Sequence, residues 1–177
     1  MLLKGYDMAR QIRRLKPSVR EIAAEVEGYR HRATGKSPHG LCVESMLYLA
    51  MGATQLSYAI ICAASEPMQW YADNYFKSLS AWRPFFEQYV AFNRGTEPGG
   101  IDPYVSPDHT LRDAEAGESS LAWIATGAGD KIYDLATLGL PFCPDGNHSS
   151  ALMMDASAVQ GLARDEAARL FGTRGIL

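Results

Sequence analysis

The sequence predicts an all-α fold, a single-domain bundle of about six to eight helices around one buried central helix. Three observations carry this expectation. Apolar residues recur at i, i+3, i+4 and i+7 along most of the 177 residues. The most apolar stretch, Leu41 to Ala64, lies between amphipathic ones, as a wrapped central helix would. No repeat or linker divides the chain, and its length suits one domain over 1–177 with a core that needs no disulfide or metal.

The elements follow in order. Met8, Ile12 and Leu15 mark a first helix that Pro17 ends. Ser18-Val-Arg-Glu21 has the form of a capping box, in which serine and glutamate satisfy each other's free backbone amides. The helix it would open places Val19, Ile22, Ala23, Val26 and Tyr29 on one face, with Gly35 as its stop. Ser37-Pro38-His39-Gly40 reads as a turn. Ser45 to Ser65 then runs 21 residues without a charge, long enough to span a bilayer. Thr54, Gln55 and Ser57 at its centre favour a buried helix over a membrane span.

Residues 68–92 hold nine of the chain's eighteen aromatics. Tyr71, Tyr75, Leu79, Trp82, Phe86 and Tyr89 share a helical face and predict core, since each buried ring removes a large apolar area from water. Pro84 predicts a break or kink between Ser80 and Pro84. Asn93 to Thr110 contains three glycines and three prolines, which argues against a regular helix or a central strand. A connection that long in a compact domain is usually functional or disordered, and the functional reading is the one carried forward. Leu121, Ile124, Ala128, Ile132, Leu135 and Leu138 fit a further helix, and Val159, Leu162, Ala163, Ala167 and Leu170 a last one from about Ala156 to Phe171.

Net charge is −3, but it is unevenly placed. Residues 1–36 hold nine Lys/Arg against four Asp/Glu, and residues 97–155 hold ten Asp/Glu against Arg112 and Lys131. A basic start and an acidic second half can steer charged partners, or can pack together and neutralise each other. The cysteines are odd in number, with Cys42 and Cys62 in apolar surroundings, which predicts reduced thiols and a cytoplasmic setting. The start of the chain has no apolar run of the secretory kind.

Four constellations invite chemistry. Pro141-Phe-Cys-Pro-Asp-Gly-Asn-His148 brings Cys143, Asp145 and His148 close in sequence, yet Pro-Asp-Gly is what a turn needs, and zinc would require paired ligands. Asp102, Asp108, His109 and Asp113 could supply oxygen and nitrogen to a divalent cation; Asp108 also suits a helix cap. Thr126-Gly-Ala-Gly-Asp-Lys131 lacks the spacing of a phosphate loop. Arg32 and His39 resemble the arginine–histidine motif of the all-helical HEPN ribonucleases, and that resemblance supplies an enzyme alternative. The expectation is no catalytic residue, no metal and no cofactor.

The whole profile resembles bacterial immunity proteins, cytoplasmic inhibitors of toxins delivered by routes such as type VI secretion. The resemblance is one of type, with no motif matched residue by residue. It implies a protein that binds and neutralises a toxin by occluding a cationic active site, such as a nucleotide-binding one. The partner would be that toxin, with no nucleic acid and no membrane. A regulatory helical binding module is a further alternative. The expected contacts are Asp102, Tyr104, Asp108, Asp113, Glu115 and Glu118, with Tyr104 as the aromatic anchor and the carboxylates speeding encounter.

Overall fold

The structure is a computed structural model that describes residues 2–28, 35–61, 67–96, 99–104, 129–143, 149–155, 158–159, 162–172 and 175–176. It falls into two compact units, Met1–Thr96 and Glu97–Leu177. Both carry parallel strands, so the protein is mixed α/β and the all-α bundle is overturned.

In the first unit, α1 (Leu2–Arg14) precedes β1 (Ala23–Glu27), α2 (Pro38–Ala50) and β2 (Gln55–Ala59). The two strands pair in parallel, Ala24 opposite Leu56 and Val26 opposite Tyr58. Parallel neighbours need a crossover, and α2 supplies it.

The expected second helix is therefore a strand. Ala24 and Val26 are fully buried while Ala23 and Glu25 are exposed, the two-residue alternation of a strand with one face on the core. Val19, expected inside, is exposed. The Ser18–Glu21 box opens no helix; instead Ile22 N donates to Thr54 Oγ1 at 2.8 Å and Ile22 O accepts from Thr54 N at 2.9 Å, leading the chain into β1.

The expected central helix is likewise only half a helix. Pro38 begins α2 as its first residue, Ser37 Oγ caps it by accepting from Gly40 N at 3.0 Å, and the predicted turn is its first turn. The helix stops at Ala50, and Gly52, just past the Met51 cap, has a φ of +107°. Gly52 N donates to Leu49 O and Ala53 N to Tyr48 O, the paired bonds of a Schellman stop. Beyond it, Gln55-Leu-Ser-Tyr58 alternates polar and apolar and opens β2, which ends at Ala59. Among the described residues no helix is long and apolar enough to cross a membrane.

The unit closes with α3 (Met68–Tyr71), a π-helical turn (Ala72–Phe76) and α4 (Lys77–Asn93). Tyr71, Tyr75 and Phe86 are buried, with Trp70 and Leu79 packed against the core of Ala24, Val26, Leu41, Tyr48, Ala53 and Ile60. The expected break before Pro84 is absent, since α4 runs through it. Pro84 is exposed, and the departure from α geometry lies upstream in the π turn, where Ser78 Oγ donates to Asn74 O and Asn74 Nδ2 to Trp70 O.

The second unit runs β3 (Gly100–Pro103), α5 (Gly129–Thr137), β4 (Ser149–Met153), α6 (Arg164–Phe171) and β5 (Gly175–Ile176), with sheet order β3-β4-β5, all parallel. A strand thus sits inside the Gly/Pro-rich segment. On its free side Ile101 N donates to Pro141 O and Cys143 N to Ile101 O, both at 3.0 Å, so Pro141-Phe-Cys143 runs beside β3. Gly100 makes this approach possible: with φ +139°, a Cβ there would lie 2.4 Å from Pro141 O.

Ile132 and Leu135 of α5 are buried as expected, whereas Leu138 is 71 % exposed because it stands at the helix end, past the last inward turn. The last helix is shorter than expected. Arg164–Phe171 is helical and buries Leu170, while Val159, in a separate helical turn, is exposed.

Candidate functional site

The sheet of the second unit ends in a hydrogen-bonded cluster of charged and phenolic groups. Tyr104 follows β3 directly, and its N–H continues the ladder by donating to Met153 O at 3.1 Å. The phenol reaches α6, where Tyr104 OH donates to Glu166 Oε1 at 2.6 Å. From α5, the nearly buried Lys131 donates to Tyr104 O at 3.1 Å and pairs with Asp155 Oδ2 at 2.6 Å. Asp155, just past β4, uses its other oxygen to accept from Ala158 N at 2.7 Å, capping a helical turn. One cation and one phenol thus join the ends of β3 and β4 to α5 and α6. Burial, then the hydrogen bond to Glu166 and the charge of that carboxylate, push the Tyr104 hydroxyl above its ordinary range, so it remains a donor.

The first unit has a cluster of the same make at the same topological place. Lys36 donates to Glu27 O, the last carbonyl of β1, at 2.6 Å, and also to Glu44 Oε2. Glu44 is buried on α2, and Tyr48, one turn on, donates to Glu44 Oε1 at 3.0 Å; Lys4 of α1 lies 3.7 Å from that oxygen. Tyr75 OH fixes the Lys36 backbone by donating to its carbonyl at 2.7 Å. Burial alone would raise the Glu44 pKa, but the Lys36 ammonium, the Tyr48 hydroxyl and Lys4 together hold it below the usual carboxylate range. Both clusters lie at the carboxyl ends of parallel strands, the side on which open α/β sheets take their ligands.

The structure brings together two of the six sequence-predicted contacts. Asp102 is buried at the end of β3 and Tyr104 is half-buried beside it, while Asp108, Asp113, Glu115 and Glu118 lie outside the described residues. Arg32, Asp145, His148 and His109 also lie outside them. His39 is exposed in the first turn of α2, edge-on to Trp82 at 5.6 Å. Cys143 is buried, with Sγ 3.6 Å from Gly100 O. Among the described residues, no three His, Cys, Asp or Glu are placed to hold a metal ion.

Lys36, Glu44, Lys131, Asp155 and Glu166 were not expected from the sequence. Two of them carried a signal: Glu44 shares the inward face of α2 with Leu41 and Tyr48, and Lys131 stands one turn before the buried Leu135 on α5, so each is a charge on an apolar face. Comparison with protein-family models, with curated proteins and with solved structures finds no match for the chain.

Proposed function

We propose that the chain is a binding protein and not a catalyst, an immunity-type cytoplasmic inhibitor that docks on a basic protein partner through the acidic end of its second sheet. The all-helical part of the resemblance to immunity proteins is set aside, and the reading rests on its electrostatic part. The observation that carries the reading is Asp155, a carboxylate with 46 % of its side chain exposed, held in place by Lys131 and by a backbone amide. Its ordering cost is met within the fold, and it belongs to the stretch 97–155, with ten acids against two bases. In sequence, Asp108, Asp113, Glu115 and Glu118 belong to that same acidic stretch, and a cationic active site on a toxin is the complement of such charge.

The test uses the partner recovered with the full chain and a variant with Asp108, Asp113, Glu115 and Glu118 all changed to lysine. Asp102 is left alone because it is buried. Stopped-flow association should slow about tenfold or more for the variant, and the wild-type rate should fall steeply as salt is added. A folded variant that associates at the wild-type rate overturns the docking surface. Cleavage of RNA by the purified chain, abolished by His39→Ala, would replace the reading with the enzyme alternative.

A further inference from the structure

The beginning of the chain carries a charge pattern that the partner reading does not use. Arg10, Arg13, Arg14, Lys16 and Arg20 place five cations within eleven residues, with Asp7 and Glu21 the nearest acids on either side. The inward face of α1 is taken by Tyr6 and Ala9, which are buried, and Met8 packs on the core. Arg14, Lys16 and Arg20 are exposed, and among the described residues they enter no ion pair or side-chain hydrogen bond.

Between these cations stand two exposed aliphatic side chains, Leu15 at 43 % and Val19 at 42 %. The segment is held in shape: Leu15 N donates to Ile12 O, Val19 N to Lys16 O, and Ile22 is tied to Thr54. The exposed Leu15 and Val19 give the cationic segment apolar area that would gain by leaving water.

We propose that the segment from Arg10 to Arg20 docks on a bilayer surface rich in anionic lipid. Arg14, Lys16 and Arg20 face the lipid phosphates, and Leu15 and Val19 enter the boundary between headgroups and acyl chains. Charge complementarity selects an anionic surface. The aliphatic pair selects lipid over a nucleic-acid backbone, which offers apolar side chains nothing. The contact is peripheral, since no described helix can cross a membrane.

Sedimentation of the full chain with vesicles tests this. Binding is expected to vesicles of phosphatidylcholine with phosphatidylserine and not to phosphatidylcholine alone, and it should weaken with salt. Each cation removed should cost about fivefold, so the triple variant Arg14→Gln, Lys16→Gln, Arg20→Gln should lose about a hundredfold. Leu15→Ser with Val19→Ser should weaken binding while keeping all the charges. The altered side chains are exposed, so thermal melting should show both variants folded. Equal binding to neutral vesicles, or none to anionic ones, overturns the proposal. So does tight binding of a single-stranded RNA homopolymer that the serine variant leaves unchanged, which would assign the patch to a phosphate polymer.

Discussion

Gly100 shows how one residue admits a whole contact. Its φ of +139° and the 2.4 Å that would separate a Cβ from Pro141 O leave no room for a side chain against backbone that cannot yield. Gly100→Ala should destabilise the second unit by about 3 kcal/mol, combining backbone strain with overpacking, as measured by the denaturant midpoint. Glu44 is the corresponding residue in the first unit. Glu44→Gln leaves Lys36 without its counter-charge inside the fold and should cost about 2 kcal/mol. Because the folded-state pKa of Glu44 lies below its ordinary 4.5, its contribution is present above that pH and is lost as pH falls through the folded value. The wild type should therefore weaken progressively in acid below about pH 4.5, and the glutamine variant should show a shallower acid slope. An unchanged slope would mean that other carboxylates govern the acid limb.

At the scale of elements, α1, α4 and α5 were legible because apolar residues recur along each of them, whereas α2 was merged with β2 into one longer helix. The strands were not, and the reason is length. Over Ile22 to Gly28, the set Ile22, Ala23 and Val26 fits a helix while Ile22, Ala24 and Val26 fits a strand; burial of Ala24 and exposure of Ala23 decide for the strand. Glu21, Glu25 and Glu27 were the better clue, since acids four and two residues apart, at even spacing, share one face of a strand and leave the other free. Gly52 was the other missed signal. It reads as a mere gap in an apolar run, yet it closes α2 and turns the chain into β2. Gly52→Ala should cost about 1 kcal/mol or more through its positive φ alone, since its nearest foreign atom would be Ile12 at 3.7 Å and no clash adds to it. Thermal melting checks this, and an unshifted midpoint would show that the stop tolerates an L side chain.

Over the whole molecule, each unit places a lysine on a carbonyl at or just past a strand's end, beside a carboxylate, with a tyrosine donating to a carboxylate. The sequence pointed to Asp102 and Tyr104 because they sit in an odd Gly/Pro-rich segment. Their neighbours arrive from far along the chain, Lys131 at 27 residues from Tyr104 and Glu166 at 62, and pairing at such separations has no local periodicity to announce it. Division into Met1–Thr96 and Glu97–Leu177 was equally silent, since Asn93-Arg-Gly-Thr96 has the composition of any surface turn. It is nonetheless a usable junction. Arg94, Gly95 and Thr96 are all exposed, Gly95 has a φ of +78° with nothing near it, and Arg94 is the last residue before that turn. Proteases need an extended, accessible segment, and packed units resist them. Brief trypsin treatment under native conditions should therefore give an early cut after Arg94, seen as the paired masses of 1–94 and 95–177 before smaller fragments accumulate. Survival of the 1–94 and 95–177 fragments would mark each unit as a separate barrier to digestion. Loss of both at the same rate as the intact chain, with no accumulation of either, would show that the two units open together and that the junction is no weaker than the rest.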